Sequence, residues 1–159
     1  MKKVFYAGSF DPFTIGHLDV VQQAAVRFDM VYVGLGVSER KTRTFDRKKM
    51  QTAIGDVLRA EKLDKKVKCI SYDNYTGETA IELGCDCLVR GIKNAHEFGY
   101  EEWLKNINLE KFGLNTLFIL PSCPELGRVS STLAKELFEA RDMNGLKKLL
   151  PPDIFKIII

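Results

Sequence analysis

Nowhere does the chain approach the roughly 18 consecutive apolar residues that a membrane helix needs. Its opening stretch, Met1 to Gly8, carries Lys2 and Lys3, but the apolar run is too short for a secretory signal. A membrane partner is therefore not expected, and a cytoplasmic location is. Histidine is scarce, with two in the chain, and there are four cysteines, at 69, 85, 87 and 123. Cys85 and Cys87 stand one residue apart, not two, and no second pair lies at zinc spacing, so the thiols read as small reduced core residues. An excess of one charge is also missing: 24 basic against 21 acidic side chains leaves +3. That balance does not call for a nucleic-acid partner and suits a local basic pocket for an anionic small molecule. With no linker, low-complexity tract or internal repeat, residues 1–159 read as one domain.

What is present is alternation. Short apolar runs at Val4–Ala7, Met30–Val37, Val67–Ser71, Cys85–Val89 and Thr116–Leu120 have the length of strands buried on both faces. Between them, segments near 17–28, 46–62, 77–84, 95–112 and 130–140 read as helices. Strand–helix alternation with right-handed crossovers predicts an α/β fold, a doubly wound parallel sheet of about five strands. Asp46 and Ser130 are placed to cap two of the helices. Asn144-Gly145 reads as a break and Pro151-Pro152 as a stop. The apolar tail from Asp153 to Ile159 reads as a docked terminus, either a final helical turn or a strand. Ligands of such sheets bind beyond the carboxyl ends of the strands. The places to read for chemistry are Gly8–His17, Ser38–Phe45, Tyr72–Gly77, Arg90–Asn94 and Pro121–Thr132.

The first of these loops is the most informative. Gly8 lets the chain turn off the first strand and Gly16 lets backbone approach a ligand. The helix starting there aims free N–H groups and a positive dipole end at the crevice, a ready phosphate site. His17 lies in its first turn, where an imidazolium is disfavoured unless an anion is bound. The string Gly8-Ser9-Phe10-Asp11-Pro12-Phe13-Thr14-Ile15-Gly16-His17 resembles the nucleotidyltransferase superfamily signature, with Ser9 where Thr is usual and Thr14 where one branch has its first His. Lys41, Arg90-Gly91-Ile92-Lys93, Phe98-Gly99-Tyr100-Glu101, Pro121-Ser122 and Val129-Ser130-Ser131-Thr132 come after it in order. Taken together, nearly the whole chain resembles the phosphopantetheine adenylyltransferases.

That resemblance implies a Rossmann-like nucleotidyltransferase fold and a reaction. ATP and 4′-phosphopantetheine, with Mg²⁺, give dephospho-coenzyme A and pyrophosphate, a step of coenzyme A biosynthesis. It implies His17, Lys41 and Arg90 as catalytic residues. Ser9, Phe10, His17, Gly91, Ile92, Lys93, Glu101, Leu126, Val129, Ser130, Ser131 and Thr132 would bind ATP. Ser9, Lys41, Thr76 and Arg90 would bind the second substrate; no metal ligand is assigned. The chemistry needs no side-chain nucleophile, because the attacking phosphate is already ionised. The protein must position the reactants in line and neutralise charge. Two alternatives remain: a related adenylyltransferase, such as one acting on nicotinate mononucleotide, and a non-catalytic nucleotide- or coenzyme A-binding regulator. The segment 95–112 carries apolar residues on more than one side, including Phe98, Trp103, Leu104, Ile107 and Leu109. A helix buried on two sides points to a homo-oligomer, and the resemblance implies a hexamer.

Overall fold

The computed structural model describes residues 1–37 and 42–159. Five strands form one parallel sheet: β1 (Lys3–Gly8), β2 (Met30–Leu35), β3 (Val67–Ser71), β4 (Cys87–Gly91) and β5 (Thr116–Ile119). Their order is β3-β2-β1-β4-β5. The described residues also form seven helices: α1 (Ile15–Arg27), α2 (Arg47–Ala60), α3 (Thr76–Glu82), α4 (Ala95–Phe112), α5 (Ser131–Glu139), α6 (Met143–Leu149) and α7 (Pro152–Ile158). A single 3₁₀ turn spans Leu126–Arg128.

The two-residue period of a strand sorts β1 between two cores. Val4 and Tyr6 join α1, α2, α5, α6 and α7 on one face of the sheet. Phe5 and Ala7 join Ala80 of α3 and Phe112 of α4 on the other. Two glycines are required by close approach. A Cβ at Gly34 would lie 2.3 Å from the Phe5 ring, and one at Gly77 would lie 2.1 Å from the Phe112 ring. After β1 the chain crosses toward β2, whereas after β4 it crosses toward β5, so the connections diverge between β1 and β4. That divergence opens the crevice in which doubly wound sheets bind ligands.

The expected helices and strands appear, with shifted ends. β2 stops at Leu35, not Val37, and β4 begins at Cys87, not Cys85. Asp46 and Ser130 cap α2 and α5, accepting from the Lys49 and Leu133 amides. Asn144-Gly145 does not break the chain but lies inside α6, because Asp142 accepts from the Gly145 amide and starts a new helix there. The tail is a two-turn helix, α7, which buries Ile154 and Ile158 against the core. Pro151 and Pro152 therefore begin a helix, where a proline's missing N–H costs nothing.

Helix α4 differs from the expectation of burial on two sides. Its buried residues are polar, Glu101 and Asn108, while Phe98, Tyr100, Trp103 and Leu109 are exposed. The inward face, with Leu104, Ile107 and Phe112 beside the two polar residues, serves a cavity, and the four exposed apolar residues lie outside it or at its rim.

Candidate active site

Two cavities flank the carboxyl ends of β1 and β4. The first, about 210 Å³, has walls from the β1 loop, the start of α1 and the segment after β5, including Ser9, His17, Asp19, Lys93, Leu126 and Val129. The second, about 350 Å³, runs between α3 and α4 past Val37, Tyr72, Thr76, Leu104, Asn108 and Phe112. Ala7, Gly8, Ser9, Arg90 and Glu101 line both. Two ligands placed in the two lobes would thus meet at Ser9 and Arg90.

Arg90 sits at this junction as the second-to-last residue of β4. Its Nε and one terminal N–H donate to the two oxygens of Glu101 at 2.9 and 2.7 Å, and the other terminal nitrogen donates to the Ala7 carbonyl at 2.6 Å. A guanidinium has five N–H groups. Three are engaged, and one remains on each terminal nitrogen. Burial works against the charge, but the bonds to Glu101 outweigh it and the group's pKa lies above its usual value. Glu101, 6% exposed, thereby has a cation partner for its buried carboxylate.

His17 is fixed by its own helix. Thr14 caps α1, its hydroxyl accepting from the His17 amide at 3.3 Å. In return the Thr14 amide donates to His17 Nδ1 at 3.0 Å, closing a capping box. Because that amide can only donate, Nδ1 holds a lone pair and the ring proton resides on Nε2. Rings of Phe10 and Phe13 stand 5.0 and 5.6 Å from the imidazole. Burial, with Lys93 and Arg90 nearby, lowers the His17 pKa from 6.5 to about 3. The histidine is a neutral N–H donor on the wall of the first cavity, not an imidazolium. Phe10 reaches its position through a backbone φ of 46°, a left-handed conformation costing on the order of 1–3 kcal/mol in a non-glycine residue.

The remaining expected residues divide. Gly91, Ile92, Lys93, Leu126, Val129 and Ser131 line the first cavity, and Thr76 lines the second, its hydroxyl 2.9 Å from that of Tyr72. The Ser131 hydroxyl donates to the Pro12 carbonyl, joining α5 to the first loop. Ser130 is the α5 cap and Thr132 is exposed; neither is part of the cavity wall. Lys41 lies outside the described residues. The chain just beyond it, at residues 43–45, is well anchored. Asp11, 5% exposed, accepts from the Thr44 and Phe45 amides, and Arg43 donates to the Ser9 carbonyl at 2.5 Å.

Sequence reasoning missed Asp19 in the cavity wall, and Asp11 and Arg43 as the anchors of the loop beside it. Asp11 had a signal, its place inside the first loop's motif, but reads equally as part of an Asp-Pro turn. Asp19 had none, since its main partner, Ser122, is 103 residues away.

Comparison with known proteins agrees with this arrangement. The cytidylyltransferase-like family model matches residues 5–137. A phosphopantetheine adenylyltransferase of Bacteroides thetaiotaomicron is 36% identical over 137 residues, covering 86% of this chain and 88% of that protein. One from Oenococcus oeni is 32% identical over 158 residues, covering 99% and 97%. Among solved structures, a Plasmodium falciparum nicotinic acid mononucleotide adenylyltransferase complexed with NaAD superposes with a TM-score of 0.73 at 18% identity, covering 99% of this chain and 95% of that one. At that identity the superposition speaks for the fold. The motifs, the matched length and these relatives converge: the chain belongs to the phosphopantetheine adenylyltransferase family of cytidylyltransferase-like nucleotidyltransferases.

Proposed function

We propose that the protein transfers the adenylyl group of ATP to 4′-phosphopantetheine, giving dephospho-coenzyme A and pyrophosphate. The observation that carries this reading is the pair of cavities joined at Ser9, Arg90 and Glu101. ATP occupies the first and the pantetheine arm the second, so that the two phosphates face each other at the junction. A phosphate oxygen of phosphopantetheine forms a bond to the α-phosphorus, the bond from that phosphorus to the bridging oxygen breaks, and pyrophosphate leaves. No covalent enzyme intermediate forms.

In this reading Arg90 uses its two remaining N–H groups on the reacting phosphates, held in place by Glu101 and Ala7. The His17 Nε2–H donates to charge developing on the α- and β-phosphoryl oxygens, where a neutral, preoriented donor needs no reorganisation. Lys93 supplies charge to the phosphates, and the free amides at the start of α5, after its cap Ser130, add donors beside Ser131 and Thr132. Lys41 holds the phosphopantetheine phosphate, as the family resemblance implies. Glu101 acts through Arg90, since both of its oxygens are taken. Mg²⁺ arrives with ATP as part of the substrate, held by phosphate oxygens and water. Among the described residues no cluster of three acidic, histidine or cysteine side chains is placed to hold a metal.

The exposed apolar residues of α4, with Leu117 and Leu120 at the β5 edge, are covered in this reading by other copies of the chain, as a homohexamer in the cytoplasm. The test of function is pyrophosphate release by the purified protein with MgATP, comparing 4′-phosphopantetheine with nicotinate mononucleotide. Turnover with the first alone is expected. Turnover only with the second would make the protein a different adenylyltransferase, and binding without turnover would make it a regulator.

A further inference from the structure

Asp19 is an unusual residue to find in the wall of a site for two polyanions. It lies two residues beyond His17 on α1, lines the first cavity, and is 7% exposed. Among the described residues no cation pairs with it. A buried carboxylate without a cation is costly unless hydrogen bonds satisfy it, and here all its partners are neutral donors. The Ser122 hydroxyl donates to Oδ1 at 2.5 Å, and the Ser122 amide donates to Oδ2 at 3.0 Å. Gln23, one turn further along α1, donates to the same Oδ2 at 3.1 Å and to the Leu120 carbonyl at 2.9 Å.

Three of these bonds cross from α1 to the loop, and the fourth holds Gln23 against Asp19. They tie residues 120–122, the first residues after β5, to the helix that carries His17. Charge-assisted bonds are roughly twice as strong as neutral ones, so an aspartate holds the loop more firmly than an amide would. The loop leads directly into the apolar wall formed by Pro121, Leu126 and Val129. The second cavity has no part of this latch in its lining.

Resting on the adenylyl-transfer reading, we propose that Asp19, supported by Gln23, is a positioning residue for the nucleotide. It latches the β5 loop to α1 and so sets the distance between the apolar wall and the His17 donor. Its uncompensated charge also works against a triphosphate lying the other way round, since the phosphates are drawn to Arg90 and Lys93 and repelled at Asp19. Asp19 selects an orientation of ATP, therefore, while leaving the pantetheine lobe untouched.

The test is steady-state kinetics for both substrates, with direct titration of the nucleotide onto the hexameric or monomeric protein as purified. Asp19→Ala is expected to raise KM for ATP about tenfold and weaken ATP binding to match, with KM for phosphopantetheine within twofold of the parent. Ser122→Ala, which keeps the amide donor and loses the hydroxyl, is expected to move the same two quantities about threefold, and serves if Asp19→Ala does not fold. Asp19→Asn removes the charge and keeps one acceptor oxygen for the Ser122 amide and Gln23, while its NH2 can only donate to the Ser122 hydroxyl, so it is expected to fall between. A rise in both Michaelis constants alike, or unchanged ATP affinity in folded Asp19→Ala or Ser122→Ala protein, would overturn the latch. If the parent binds ATP but does not adenylate phosphopantetheine, the adenylyl-transfer reading fails while the ATP titrations still decide the role of Asp19.

Discussion

His17 shows how much a single backbone hydrogen bond decides. The Thr14 amide occupies Nδ1, so the ring offers one donor and cannot gain a second proton without breaking the cap. His17→Ala should lower kcat by a factor on the order of 10², the usual loss for one preoriented transition-state donor. A variant with near-normal kcat would remove the residue from the mechanism. The same histidine links stability to acid. With its folded pKa at about 3 against 6.5 unfolded, the unfolded chain binds a proton in that window and the native state does not. Stability should therefore fall as pH drops from 6.5 toward 3 and be unaffected by this group above 6.5. Urea denaturation at about pH 7 and about pH 4.5 should show the parent losing on the order of 2 kcal/mol more than His17→Gln. Equal losses would contradict a neutral buried imidazole. From sequence, His17 was legible as a site residue through its motif. That an imidazolium is disfavoured there without an anion was legible too, from the helix dipole; the tautomer was not, because nothing in the pattern shows the Thr14 amide on Nδ1.

At the scale of elements, the strands and helices were legible because each apolar run is short and several helices have a recognisable cap. What pattern alone misread was the orientation of α4 and the continuity near Asn144-Gly145. A helix apolar on several sides looks buried, yet α4 turns Glu101 and Asn108 inward because a cavity and Arg90 lie there. In α6, the Asp142 cap outweighs the weak helix propensity of Asn and Gly. The packing of α3 on α4 supplies a test at this scale. Gly77→Ala places a methyl group 2.1 Å from the Phe112 ring, and Phe112 lines the second cavity. Overpacking of this kind costs about 1–3 kcal/mol. Thermal unfolding should show that loss together with a raised KM for phosphopantetheine; unchanged stability would mean that α4 moves freely on α3.

Across the whole molecule, the small excess of basic charge gains a location. Arg90 and Lys93 stand at the carboxyl end of β4, where the two cavities approach each other. The second feature of this scale is the outward apolar surface of α4. Light scattering should return a mass near six times the 18.0 kDa of one chain, and Trp103→Glu should lower it without unfolding the protein. A monomer at micromolar concentration would leave that surface without the partner assigned to it. In the proposed reaction one arginine serves both substrates at the junction of the two cavities. Arg90→Lys keeps the charge and loses the planar fork. Steady-state kinetics on this variant should show KM for ATP and for phosphopantetheine both raised about tenfold. A rise for one substrate alone, with the other unchanged, would contradict the shared junction.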